Sequence, residues 1–84
     1  MNAWLRCKLN TGMFSDEVAV TYPSSAGAAR QISVFIPRSY VRGDEEGQGE
    51  VLVDVGEMNG TCYAVLPNSY RDIVWPDAAD LSRS

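Results

Sequence analysis

Few of the side chains that usually carry out catalysis are present in this chain of 84 residues. There is no histidine, so neither a Ser-His-Asp triad nor a Cys-His pair can form, and no imidazole is available to bind zinc or iron. The only lysine, Lys8, alternates with Trp4 and Arg6 on the solvent side of a predicted strand, where a Schiff-base role is not expected. We therefore predict that the protein is not an enzyme and binds no cofactor.

The two cysteines, Cys7 and Cys62, lie on different predicted strands and lack the C-x-x-C spacing of a zinc or redox site. We expect both to be free, buried thiols.

Charged residues interrupt the N-terminal segment, so no signal peptide is expected there. The longest apolar run, 62–66, is far too short to cross a membrane as a helix. These features predict a soluble, cytoplasmic protein without a membrane segment.

An acidic, glycine-rich segment at 43–49 is the only candidate for binding a metal ion, because calcium prefers oxygen ligands. The candidate ligands are Asp44, Glu45 and Glu46 within this segment and Glu50 directly after it. Their spacing does not follow the ligand order of an EF-hand, and glycines separate them. The pattern favours a solvated loop, and we predict no metal site.

The charge is distributed unevenly along the chain. The net charge is −4 and the isoelectric point is about 4.5, yet residues 1–42 carry +3 and residues 43–84 carry −7. Arg6, Lys8 and Arg30, together with neighbouring aromatic rings, are the residue types that contact phosphates and stack on bases. A nucleic-acid-binding barrel is therefore the alternative function, although the acidic second half opposes it.

Apolar and polar residues alternate with a period of two along most of the chain, which predicts strands. We expect six, at 3–9, 17–22, 31–36, 50–58, 61–66 and 73–75. Asn59-Gly60 is typical of a type I′ hairpin turn, which sets Met58 opposite Thr61 and Val55 opposite Ala64. With no convincing helix, the pattern predicts an all-β fold, a small antiparallel barrel or roll. Residues 77–82 should form one helical or 3₁₀ turn before a frayed tail.

Two segments, 36–41 and 75–81, share a pattern in which an apolar strand end meets a proline and then a tight turn. Proline ends ladder hydrogen bonding, so each segment marks the end of a strand. The prolines, Pro37 and Pro76, are 39 residues apart. We interpret the chain as a single small β domain, 1–84, with related halves at 1–42 and 50–84 joined by loop 43–49.

The segment Phe35-Ile36-Pro37-Arg38-Ser39-Tyr40-Val41 resembles the C-terminal signature of SH3 domains. The resemblance implies an SH3-like roll, and it places Pro37 and Tyr40 at positions of that family's proline-peptide groove. The order of elements, including Met13-Phe14-Ser15-Asp16-Glu17, is also similar to short uncharacterised bacterial proteins. That second resemblance implies no activity.

Several large apolar residues fall on the strand face opposite the main apolar face, where a one-sided sheet should be polar. They are Trp4, Phe35, Leu52, Tyr63 and Val65. Two interpretations remain open: loops cover these residues, or they form an exposed patch for a partner or a second copy. We predict a non-enzymatic protein- or peptide-interaction module that uses Trp4, Phe35, Tyr63 and Tyr40.

Overall fold

The computed structural model describes residues 1–11, 15–23, 27, 30–45 and 47–84, and these residues form β-strands without an α-helix. The strands are β1 (Asn2–Thr11), β2 (Glu17–Tyr22), β3 (Ile32–Pro37), β4 (Val41–Glu45), β5 (Gln48–Met58), β6 (Thr61–Val65), β7 (Ile73–Val74) and β8 (Leu81–Arg83). Two 3₁₀ turns, Arg38–Tyr40 and Ala78–Asp80, precede β4 and β8. The predicted all-β fold is confirmed. Met13 and Phe14, which belong to the segment of the second resemblance, lie outside the described residues.

The strands form one antiparallel sheet, in the order β3-β2-β1-β5-β6-β7, that curls into a half-barrel. Each half of the chain supplies three strands, then a 3₁₀ turn, then a fourth strand. The fourth strand of each half pairs with the first strand of the other half, β4 with β5 and β8 with β1. Both proline segments thus end one strand, as their shared pattern suggested, and each leads through a 3₁₀ turn into a further strand.

The core lies on the concave face of the half-barrel and consists of alternate residues of each strand. The buried apolar residues are Leu5, Cys7, Leu9, Val18, Val20, Tyr22, Ile36, Val51, Val53, Ala64, Leu66 and Val74. Burying a large aliphatic side chain stabilises the folded state by roughly 1.5–3 kcal/mol. This core holds the strands at fixed positions and so fixes the geometry of the surface.

The hairpin between β5 and β6 forms as the sequence predicts. Asn59 and Gly60 have φ angles of 53° and 78°, which a type I′ turn requires at both central positions. The resulting register places Met58 opposite Thr61 and Val55 opposite Ala64. The turn chemistry and the hydrophobic alternation therefore specify the same pairing.

Two segments differ from the sequence-based prediction. The loop predicted at 43–49 is instead a hairpin in which β4 pairs with β5, with Gly43 and Gly47 at φ angles of 78° and 80°. Residues 81–83, predicted as the end of a helical or 3₁₀ turn and the start of a frayed tail, form β8 and pair with β1. The partner of β8 is distant in sequence, whereas β4 pairs with the strand that directly follows it and forms a hairpin that the acidic, glycine-rich composition of the segment did not indicate.

Tyr22, at the end of β2, fixes the second 3₁₀ turn against the sheet. Its hydroxyl donates to Oδ2 of Asp80 over 2.9 Å and accepts from the Asp77 backbone N–H over 3.3 Å. Burial raises the pKa of Tyr22, and the hydrogen bond to Asp80 raises it further, outweighing the opposite effect of the Asp77 N–H. The phenol is therefore held neutral and bonded.

We expect Tyr22→Phe to lower the free energy of unfolding by about 1–2 kcal/mol, because two partly buried polar groups lose their partner. Urea denaturation measures this loss. Tyr40→Phe is the matched control, because Tyr40 is exposed on the surface, and its effect should be within about 0.5 kcal/mol. Equal losses in the two variants would contradict a structural role for the Tyr22 hydroxyl.

Candidate interaction surface

A groove runs between the two end strands of the sheet, β3 and β7, and we call it the seam. One part of the seam lies between residues 30–32 and residues 73–75, and the other lies between residues 32–35 and residues 68–72. Each part has a volume of about 450 Å³, within the size range of ligand-binding clefts. The seam exists because the half-barrel does not close by pairing β3 with β7.

Exposed apolar side chains are concentrated along the seam. Seven large apolar side chains are exposed within the described part of the chain, and four of them line it. These four are Phe35 (48% exposed), Tyr70 (89%), Ile73 (54%) and Trp75 (55%). Clusters of this kind mark interaction surfaces more often than single exposed apolar residues do.

The wall of the seam formed by β3 also presents main-chain hydrogen-bonding groups. The Arg38 N–H donates to the Asp16 carbonyl over 2.8 Å, and this position continues the regular β2–β3 register. Hydrogen-bonded and non-hydrogen-bonded residue pairs alternate along two antiparallel strands. The N–H and C=O groups of Ser33 and Phe35 consequently point away from β2, toward the seam.

Trp4, predicted as a partner-binding residue, lies on the convex face and is covered by the protein's own chain. The Arg42 guanidinium lies 4.1 Å from the centre of the Trp4 ring, a cation–π contact. Arg42 also donates to Glu50 over 2.9 Å, and the Ser82 hydroxyl donates to the second oxygen of that carboxylate. One face of the Trp4 ring is therefore occupied.

Glu50 holds this convex-face network together as a carboxylate. Partial burial raises its pKa, but hydrogen bonds from Ser82 and Arg42 and the charges of Arg42 and Arg6 outweigh that effect, so its pKa is lowered. Glu50 was also a candidate calcium ligand. Its two oxygens instead accept hydrogen bonds from Arg42 and Ser82.

The remaining candidate calcium ligands are Asp44, Glu45 and Glu46. Glu46 and the side chains of Asp44 and Glu45 lie outside the described residues. Among the residues that are described, no cluster of three or more cysteines or acids is arranged to hold a metal ion.

Tyr63, also predicted as a partner-binding residue, packs within the sheet and against the rim of the seam. It is paired with Gly56 on β5, and its ring fills the space that a Cβ atom of Gly56 would occupy. Its ring meets that of Trp75 edge to face, with centroids 5.8 Å apart. Tyr63 therefore supports Trp75, which is the more exposed of the two rings.

The structure does not bring the four predicted partner-binding residues into one patch. Phe35 aligns through Ala19 with Asn10 on β1, six residues from Trp4, which is a separation of about 20 Å along the strand. Tyr40 is 41% exposed and lies in the first 3₁₀ turn. Of the four, Phe35 lines the seam and Tyr63 contacts a residue that does.

The cations of the alternative nucleic-acid surface also separate into two places. Arg6 and Lys8 are exposed on the convex side of β1, and Arg6 is paired with Glu50, whose charge offsets its own. Arg30 lines the seam instead. Nucleic-acid binding by these residues stays a prediction.

Sequence reasoning missed three of the seam residues, Tyr70, Ile73 and Trp75. One local signal was available for Tyr70, because an aromatic residue in a turn of proline, asparagine and serine is not needed for the turn itself. For Ile73 and Trp75 the sequence pattern was that of a short strand end. Their exposure follows from the curvature of the sheet, which the sequence pattern does not encode.

Comparison with protein-family models, with curated proteins and with solved structures finds no match for this chain. Within the described part of the chain, no helix has the length and apolar character needed to cross a membrane.

Proposed function

We propose that this chain is a non-enzymatic protein- or peptide-interaction module and that its contact surface is the seam. The observation that carries the proposal is the position of Phe35, Tyr70, Ile73 and Trp75. These exposed apolar side chains line a groove instead of being scattered over the surface. Aromatic residues that flank a groove are typical anchors of interfaces.

The two aromatic residues opposite β3 differ in how they are held. Trp75 is fixed by its edge contact with Tyr63, so little side-chain freedom is lost when a partner binds. Tyr70 is 89% exposed, so most of its surface is available for burial. The seam thus combines a preorganised anchor with one that can adapt.

Selection of peptides from a random display library on the immobilised protein tests the proposal. We expect peptides that bind the purified chain, and we expect Trp75→Ala and Tyr70→Ala each to weaken binding by about tenfold or more. Fluorescence anisotropy with a labelled selected peptide measures the change.

Met58→Ala is the matched control, because Met58 is 57% exposed but does not line the seam. It should leave the affinity unchanged, and thermal melting should show that all three variants remain folded. Failure to select any peptide, or selected peptides that bind Trp75→Ala and Tyr70→Ala as well as the parent, would contradict the proposal.

We also propose a cytoplasmic location. Cys7 and Cys62 are both free, and free thiols are the usual state of cysteines in a reducing compartment.

A further inference from the structure

We propose that the occupant of the seam is an extended segment of a partner polypeptide, which adds to the free edge of β3 as an antiparallel strand and ends in a carboxylate near Arg30. This inference rests on the proposed function and names the conformation and charge of its ligand. It assigns the recognition to main-chain groups of β3 and to one cation.

The edge of β3 has the properties of a strand acceptor. β3 is six residues long and regular, without a bulge in its pairing with β2. Ser33 and Phe35 direct their N–H and C=O groups toward the seam, where an incoming strand can pair with both. Natural edge strands are commonly protected by charges, bulges or prolines, because an unprotected edge recruits other strands. On β3 such protection is limited to Pro37, the last residue of the strand.

The edge of β7, on the opposite wall, is different. β7 consists of two residues, Ile73 and Val74, so it offers little main chain for pairing. Its contribution is apolar, because Ile73 and Trp75 project beside the groove. We therefore assign strand pairing to β3 and side-chain packing to the β7 wall. This division is typical of peptide recognition by strand addition.

The charges along the seam define the direction of the bound segment. Arg30 is the only charged residue among the described residues that line the part between 30–32 and 73–75. At the other part lies the carboxylate of Asp72, which accepts a hydrogen bond from Asn68 over 2.7 Å. A strand antiparallel to β3 places its C-terminal end near Arg30. A carboxylate at that end is therefore complementary in charge to the seam.

The probe is an acetylated heptapeptide of alternating threonine and valine that ends in glutamate. We expect it to bind and to slow hydrogen exchange of the Ser33 and Phe35 amides by about tenfold or more, because both become hydrogen-bonded. Ser33→Pro removes the seam-facing N–H and should weaken binding about tenfold or more. Ser33→Ala is the matched control, because it loses the Ser33 hydroxyl as Ser33→Pro does but keeps the backbone N–H. It should bind like the parent.

A charge exchange tests the assigned direction. The parent should prefer the glutamate-ended peptide over a matched peptide that ends in lysine amide and so carries no carboxylate, and Arg30→Glu should reverse that preference. An unchanged preference in Arg30→Glu would overturn the assignment of the carboxylate to Arg30.

Other outcomes would overturn strand addition itself. Strand addition would be wrong if the heptapeptide failed to bind, or if it bound without slowing hydrogen exchange at Ser33 and Phe35. It would also be wrong if Ser33→Pro bound the heptapeptide as well as Ser33→Ala does. If display-selected peptides still lose affinity in Trp75→Ala while Ser33→Pro has no effect, the proposed function stands and strand addition is wrong. A dimer in sedimentation that Ser33→Pro dissociates would assign the edge to a second copy and would also overturn the proposal.

Discussion

Replacing Gly49 with alanine is expected to lower the free energy of unfolding by about 1–3 kcal/mol, the usual cost of overpacking. Gly49 lies on β5 between Cys7 on β1 and Gly43 on β4. A Cβ atom there would lie 2.8 Å from the Arg42 carbonyl oxygen and would also meet the Leu9 side chain. Leu9 can change rotamer, but the carbonyl belongs to the ladder that holds β4 on β5. The strands themselves must therefore separate.

Thermal denaturation measures this effect, and a loss of 1 kcal/mol corresponds to a fall in Tm of about 4–8 °C for a domain of this size. Gly27→Ala is the matched control, because no atom of the other described residues lies within 4 Å of a Cβ at that position. Its effect should stay within about 0.5 kcal/mol. A Gly49→Ala variant as stable as the Gly27→Ala variant would show that β4 can move away from β5 at little cost.

The parts of the fold that the sequence predicts are those determined by neighbours along the chain. The hairpin at Asn59-Gly60 is an example, because both turn residues and the flanking alternation lie within a few positions of one another. Pro37 and Pro76 end their strands by their own chemistry. In contrast, β8 is short and partly polar, and it pairs with β1 at the opposite end of the chain, a partner that no local pattern records. The hairpin of β4 with β5 is local, but its glycines and acids are equally typical of a solvated loop.

The candidate site was harder to predict for the same reason. Alternation correctly assigned Trp4 and Tyr63 to the convex face, but it could not show that Arg42 covers Trp4 or that Tyr63 packs over Gly56. Both contacts are made across strands. The seam depends on contacts even more distant in sequence, because it lies where the two end strands of the curled sheet, β3 and β7, face each other. Of the predicted partner-binding residues, Phe35 lines it.

The last expectation concerns Cys7, which lies in the core with no exposed surface. Burial raises the pKa of its thiol from 9.0 to about 12, and the nearby charge of Asp80 adds to the increase. Because the folded-state pKa is the higher one, the folded protein retains this proton at a pH at which the unfolded chain has lost it. The contribution of the Cys7 thiol to the free energy of unfolding is fully present below pH 9 and is lost as the pH rises toward 12.

We expect the free energy of unfolding to fall by about 1.4 kcal/mol per pH unit above pH 9, or about 4 kcal/mol in total. Urea denaturation between about pH 8 and pH 9.5 measures the onset of this fall while the pH stays below the ordinary pKa of tyrosine, 10.0, near which Tyr22 adds a loss of the same sign. Cys7→Ala should be less stable at neutral pH and should lose this slope, whereas Cys62→Ala should keep it. The same slope in both variants would mean that the buried thiol is not its source.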